Sequence, residues 1–561
     1  MVADVVRSGA ELVLTPFLAA ARFARRQASG PRCVLEVPVE MLPDVRVRTL
    51  WLERLRRAAE DPAVVALLLR LDGSPGRWAA AGDLRATLQA IRGQGTRVYA
   101  VVESPGTAAV YLASACDHVF MLPTGQLGLL GVGAELTFFG AALEKIGIQA
   151  DFEAAGAYKS FGEAYTRSFA SPANQEAVNA IIGDLQDQLV RGIAESRAID
   201  EARVREALGL APLSAEEAME YGLVDTLAYD DEVRDWLKEH HGEGIRMLEL
   251  AKWARIDTAI ERMEEAARGG KRVAVVYLDG PIVMEEGGRG TAIRARKVAE
   301  VLRKLRAEPR VAAVVLHVNS PGGSALASDV IWREVQLLDE EKPVVACFED
   351  VAASGGFYLA APAREIVVRR GTLTGSIGVF GGKLVVVEGL RRLGVHAQEL
   401  GGSPNAHVYS PMRPFTPAQR ERFKGMLQRT YDGFVERVAR GRRAAVEEIE
   451  PHCRGRVWTG EAALERGLVD SLGGLEDAIE RARVLAEAPG ASRLDVNTLP
   501  RRSVLQWAVA RALPSAARTS LPLGLTALAR LLPEGVLDDI GVLMEHPEQA
   551  MAMLPFQVRA R

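Results

Sequence analysis

Residues 308–319 read EPRVAAVVLHVN, and residues 61–72 read DPAVVALLLRLD. The two segments lie 247 residues apart (308 minus 61). The apolar run from Val311 to Val318, broken only by His317, is followed by Asn-Ser-Pro-Gly-Gly, which is how a buried strand entering a turn reads. Further matches follow in the same order. Ser74-Pro-Gly76 matches Ser320-Pro-Gly322, and YLAS at 111–114 matches YLAA at 358–361. GLVDTL at 222–227 matches GLVDSL at 467–472, now 245 residues apart. The period is far longer than a solenoid unit, so each copy is a domain. The expected organisation is an N-terminal amphipathic segment at 1–31, a first repeat at 32–240, a charged helical connector at 241–271, a second repeat at 272–490 and an amphipathic tail at 491–561.

Within the second copy, Ala327, Val330, Ile331, Val335 and Leu338 fall at helical spacing. Val344 to Phe348 and Ile366 to Val368 read as further strands. Strand, helix, strand, helix predicts an α/β fold of parallel βαβ units, duplicated in tandem.

Composition bounds the function. The chain has 561 residues, 48% of them hydrophobic, and a net charge of −4. That balance leaves no basic footprint for nucleic acid. The four cysteines lie far apart and form no CxxC, and the histidines are scattered, so neither a zinc site nor a disulfide framework is expected. Leu12 to Ala21 is apolar, but it is ten residues long and interrupted by Thr15 and Pro16. A membrane span needs about 20 residues. An interfacial helix or an ordinary surface helix are both open there.

Two loops of the second copy carry candidate chemistry. Ser320-Pro-Gly-Gly-Ser324 sits between a strand and a helix, where glycines let backbone amides approach a developing negative charge. Asp350-Val-Ala-Ala-Ser354-Gly-Gly-Phe357 follows the next strand, and its small residues leave room around the Ser354 hydroxyl. Functional loops of parallel α/β folds gather at strand carboxyl ends, so the two loops should face one another. In the first copy Thr107 falls opposite Ser354 and Arg77 opposite Gly323, which predicts a catalytically silent repeat.

A serine nucleophile needs a base. His317 lies inside a predicted strand and reads mainly as a packing residue. Arginine does not deprotonate, whereas a buried lysine can. Only ten of the 69 basic residues are lysines, and most stand among charged neighbours. Lys159, in Ala-Gly-Ala-Tyr-Lys-Ser-Phe-Gly, and Lys383, after two glycines, remain the candidates.

The motifs Val318-Asn-Ser-Pro-Gly-Gly-Ser324, Ala352-Ala-Ser-Gly-Gly356, Leu373-Thr-Gly-Ser-Ile-Gly-Val379, Trp458-Thr-Gly460 and Gly467-Leu-Val-Asp470 resemble, in this order, the signal peptide peptidase A (protease IV) family, peptidase family S49, in its long duplicated form. The resemblance covers roughly residues 32–490. It implies a ClpP/crotonase-like fold in each repeat and a serine-lysine dyad split between repeats. Carried onto this sequence, the nucleophile is Ser354, the base Lys159, the lysine-orienting residue Ser376, and the oxyanion amides those of Gly323 and Gly355. It further implies apolar peptide substrates such as signal peptide remnants, no metal or organic cofactor, a homo-oligomer (a tetramer in the long form), and association with the bacterial cell membrane. The N-terminal apolar stretch falls short of the family's clear spanning segment. Rival readings are an acyl-CoA enzyme of the crotonase type and a non-catalytic scaffold with binding grooves.

Overall fold

The structure is a computed structural model that describes residues 32–39, 45–71, 78–255, 270–284, 292–401, 403, 405–497, 551–553 and 559–560. The amphipathic segment expected at 1–31 and most of the tail expected at 491–561 lie outside the described residues.

Two sheets carry the duplication. The first runs Arg246–Glu249, Cys33–Val39, Val64–Leu71, Arg97–Val102, His118–Met121, Thr226–Leu227, every neighbour parallel. In the second, Ser492–Asn497, Arg272–Asp279, Val311–Ser320, Val344–Ala353, Glu365–Val368 and Ser471–Leu472 follow one another in the same parallel arrangement. The two orders match strand for strand, which establishes a tandem duplication of one α/β unit. The first sheet's edge strand, Arg246–Glu249, lies in the stretch read from sequence as connector.

The sheets form where sequence puts apolar runs because both faces are covered. Val311–Ser320 is buried along nearly its whole length. Each such Val or Leu removed from water contributes about 1.5–3 kcal/mol. Helix Ala325–Glu341 packs Ala327, Ile331, Val335 and Leu338 inward, and Ser324 caps it by accepting from the Ala327 amide at 3.3 Å. A long helix recurs in each repeat, Pro172–Arg197 and Pro417–Arg442. Each is opened by a hydroxyl cap and a proline and closed by a left-handed residue, Ala198 and Arg443.

One strand is longer than its apolar run. Val344–Ala353 continues past Phe348 to the residue before Ser354, because Val351, Ala352 and Ala353 pair with Leu373–Gly375. Gly322–Ser324, read from sequence as turn, is itself a short strand. It belongs to a third sheet in the order Ile293–Arg294, Ile282–Val283, Gly322–Ser324, Met551–Met553, Val379–Val385, Gln149–Ala155. Gln149–Ala155 comes from the first repeat, and it pairs antiparallel along all of Val379–Val385 of the second.

The repeats are also joined by buried charge. Arg48 pairs with Glu349 and, at 3.7 Å, with Asp83, which in turn pairs with Arg369. Asp350 accepts from the Ala79 and Ala80 amides at 3.1 and 3.4 Å, at the start of helix Trp78–Gly93. A carboxylate there suits the positive end of that helix. All four cysteines are buried and unpaired. Among the described residues, no helix is long and apolar enough to cross a membrane.

Candidate active site

Ser354 stands between the Val344–Ala353 strand and helix Gly355–Ala360. Its φ of 55° is in the left-handed region, an uncommon conformation for a residue with a side chain. The turn is held because the Ser354 amide donates to Gly375 O at 2.8 Å and the Tyr358 amide donates back to Ser354 O at 2.8 Å. The residue is fully buried in the folded chain.

Lys159 arrives from the first repeat, just beyond Gln149–Ala155, whose pairing with Val379–Val385 delivers it. Its Nζ lies 2.7 Å from Ser354 Oγ, 2.9 Å from Ser376 Oγ and 3.0 Å from Ser376 O. Those three partners match a neutral amine, which has two N–H donors for Ser376 and one lone pair for the Ser354 hydroxyl. Burial holds the amine well below the ordinary lysine value, because it penalises the charged form. When Nζ is protonated, the Ser354 hydroxyl has an alternative acceptor in Gly378 O at 3.4 Å.

Gly323 and Gly355 face each other. A Cβ on Gly355 would stand 3.2 Å from the Gly323 amide nitrogen. A Cβ on Gly323, at φ 154°, would stand 2.2 Å from the Ile282 carbonyl oxygen. Only glycine fits there, because the backbone of the adjacent strand already fills the space. The loop is stiffened from within by Ser320, whose Oγ accepts from the Gly322 amide at 3.2 Å.

The other candidate bases are engaged elsewhere. His317 is buried, and its Nε2 lies 3.1 Å from Glu349. Burial, together with the positive charge of Arg48 and Arg493, pushes its pKa down to about 3, so it is a neutral hydrogen-bonding partner. Lys383 Nζ donates to the carbonyls of Val408 and Ser410 at 2.7 and 3.0 Å, over the ring of Phe415.

In the first repeat, Thr107 Oγ1 accepts from the Leu130 and Gly131 amides at 3.0 and 3.1 Å. Thr107 begins helix Thr107–Ala113, and positive φ is found at Ser354 but not at Thr107. Its hydroxyl is spent on holding the backbone. Arg77 lies outside the described residues.

Gly455 is a participant that sequence reading missed. Its φ is 79°, and a Cβ there would stand 2.6–2.8 Å from the Lys159 backbone nitrogen, Cα and Cβ. The neighbouring Arg454 carbonyl accepts from the Tyr158 amide at 2.8 Å. Thus the second repeat grips the lysine segment by its main chain. The available signal was a lone glycine between two arginines, which is too weak to single out.

The Peptidase family S49 model matches residues 90–243 and 336–488, once in each repeat. The chain belongs to peptidase family S49. It is a serine protease of that family, similar to the chloroplastic serine protease SPPA of Arabidopsis thaliana (31% identity, covering 80% of this chain and 67% of that one). It is also similar to Protease 4 of Salmonella typhi (31% identity, 77% and 71% coverage) and to Protease 4 of Haemophilus influenzae (27% identity, 77% and 72%). The S49 matches exclude the acyl-CoA rival, and they fall on the two repeats that the internal duplication delimits.

Proposed function

We propose that this S49 protease is an endopeptidase that cleaves apolar peptides, such as signal peptides left in a membrane, through a dyad of Ser354 and Lys159. The observation that carries the reading is the 2.7 Å contact between Lys159 Nζ and Ser354 Oγ, made by two residues of different repeats in a buried setting. The neutral amine takes the proton as Ser354 Oγ attacks the peptide carbonyl. The amides of Gly323 and Gly355 receive the oxyanion, and a donor of this kind is worth about 2.7–4 kcal/mol in comparable sites. Lys159 then gives its proton to the leaving amine, which departs as the new N-terminus. Water, deprotonated by Lys159, releases the acyl group and restores the Ser354 hydroxyl. Ser376 orients the amine through its carbonyl and hydroxyl oxygens.

Splitting the dyad makes turnover depend on how the repeats at 32–240 and 272–490 dock. Preference for apolar peptides is supported by the small and apolar residues packed about the loops, among them Ala352, Ala353 and Ile282, which are buried and bring no charge to the site. Exposed Leu393 and Leu400 offer apolar surface to a second copy in a homo-oligomer. Contact with a membrane belongs to the same reading and would involve segments outside the described residues.

A fluorophosphonate probe tests the reading, followed by peptide mapping of the adduct. Labelling at Ser354 that vanishes in Lys159→Ala, together with hydrolysis of a signal-peptide-like substrate, is expected. A folded protein that neither labels nor hydrolyses would make it a scaffold instead.

A further inference from the structure

Two short segments near residue 555 sit on equivalent edges of the two repeats. Met551–Met553 pairs antiparallel with Gly322–Ser324, placing Ala552 opposite Gly323, and Met551 also pairs with Phe380. This strand lies between the glycine loop and Val379–Val385, beside helix Gly355–Ala360, which is where an extended peptide would have to lie to reach Ser354. Arg559–Ala560 pairs antiparallel with Val132–Gly133 of the first repeat, with Arg559 opposite Gly133.

Phe380 and Gly133 occupy the same place in their repeats, 247 residues apart. The amide directions place the first repeat's pairing on the Thr107 side. The Gly131 amide points at Thr107, the counterpart of Ser354, and the Val132 amide points the other way, to Gln186 at 2.9 Å. Alternation along a strand then turns the Gly133 amide back towards the Thr107 side. Val132 packs in one apolar cluster with Ala353, so the two edges are close neighbours. Met553 and Arg559 are six residues apart, which an extended chain covers in about 20 Å.

We propose that the first repeat retains a second, non-catalytic binding edge for extended peptide at Val132–Gly133, and that one peptide spans both edges. Its leading part lies in the Ser354 groove and its trailing part lies along Gly133. The chain's own segments 551–553 and 559–560 are the resident occupants and compete with substrate. The first repeat has lost its nucleophile but kept the main-chain edge, because strand addition needs only backbone amides and carbonyls. This inference rests on the reading of the Ser354 groove as the peptide site.

Binding and turnover are measured separately. A fluorescent peptide of residues 549–561 is titrated by anisotropy into the Ser354→Ala chain lacking those residues, against a peptide of residues 549–556. The longer peptide is expected to bind about tenfold more tightly, one added strand contact being worth about 1.4 kcal/mol. Gly133→Pro should reduce the longer peptide to the affinity of the shorter and leave the shorter unchanged. A Cβ at Gly133 meets nothing within 4 Å, so there is room for a side chain on the α carbon where the amide is removed. Equal affinities for the two peptides, or no binding, would overturn the second edge.

With Ser354 intact, deleting 549–561 should raise kcat/KM on an apolar peptide by about tenfold or more, and the longer peptide added in trans should raise KM without changing kcat. Ala552→Pro in the otherwise complete chain, which blocks pairing opposite Gly323, should do the same. Unchanged kcat/KM in both variants would overturn the competition. If the peptides bind as expected but no form of the chain hydrolyses anything, the proposed function falls and the second edge stands.

Discussion

Replacing Lys159 by methionine keeps an unbranched side chain, one atom shorter, and removes the base. The loss can be sized from what surrounds the amine. The three contacts of Nζ are on Ser354 and Ser376, so removing it leaves Ser354 Oγ, among the described residues, with Gly378 O as its hydrogen-bond acceptor. The other candidate bases are engaged, His317 by Glu349, and Lys383 by Val408 and Ser410. A positioned base is worth about 10²–10⁴ in rate. We therefore expect kcat to fall about a thousandfold, or about 4 kcal/mol in barrier height, with KM nearly unchanged. In the unmutated chain, kcat/KM should climb as pH rises through the lowered amine pKa, because only the neutral amine accepts the proton. The same substitution should stabilise the fold. Between the lowered value and the ordinary value of 10.5, the unfolded chain holds a proton that the folded chain lacks, so stability rises with pH across that window. Below the window the burial cost is complete, and above it the cost is gone. Lys159→Met should thus melt higher at neutral pH and lose this rise. Steady-state peptide hydrolysis and urea unfolding, each followed against pH, provide the assay. Activity within tenfold of the unmutated chain, or an unaltered pH dependence of stability, would refute the argument.

Ser376→Ala removes one acceptor from the amine while the Ser376 carbonyl remains. It should cost about tenfold in kcat, near the 1–1.5 kcal/mol of one hydrogen bond, and move the acidic limb of the rate profile to lower pH, as an acceptor favours the ammonium. Gly455→Ala drives a Cβ to 2.6 Å from the Lys159 nitrogen at a positive φ, so kcat should drop by about a hundredfold, as a misplacement near 1 Å can do. Retention of full activity there would show that the lysine segment tolerates movement. Thr107→Ala should leave kcat/KM within twofold but lower stability by about 1–3 kcal/mol, because the buried Gly131 amide loses its acceptor, whereas the Leu130 amide keeps Gly128 O at 2.9 Å. A large loss of turnover with intact folding would reassign the roles of the repeats.

The features legible in the residues are those that local chemistry dictates. Val311–Val318 and Val64–Leu71 read as buried strands because each is apolar but for one residue, His317 and Arg70, and their recurrence fixed the duplication. Gly323 and Gly355 were legible as a pair because their loops end consecutive strands and so face one another. Ser354 followed from its small neighbours and Ser376 from its motif. Residue chemistry left Lys159 and Lys383 both open as bases, the family resemblance pointed to Lys159, and neither sequence neighbourhood reveals what the amine touches. The contact itself is a matter of tertiary structure. Lys159 and Ser354 are 195 residues apart, and they meet because Gln149–Ala155 pairs with Val379–Val385 across the repeats. Edge pairing of this kind uses backbone groups that every residue carries, so it leaves no mark in composition or periodicity. The same reason hid the grip of Gly455 on Lys159 and the seating of Met551–Met553 on the glycine loop. The contacts that assemble the site are main-chain contacts between distant segments, and side-chain sequence records them only where a glycine is required.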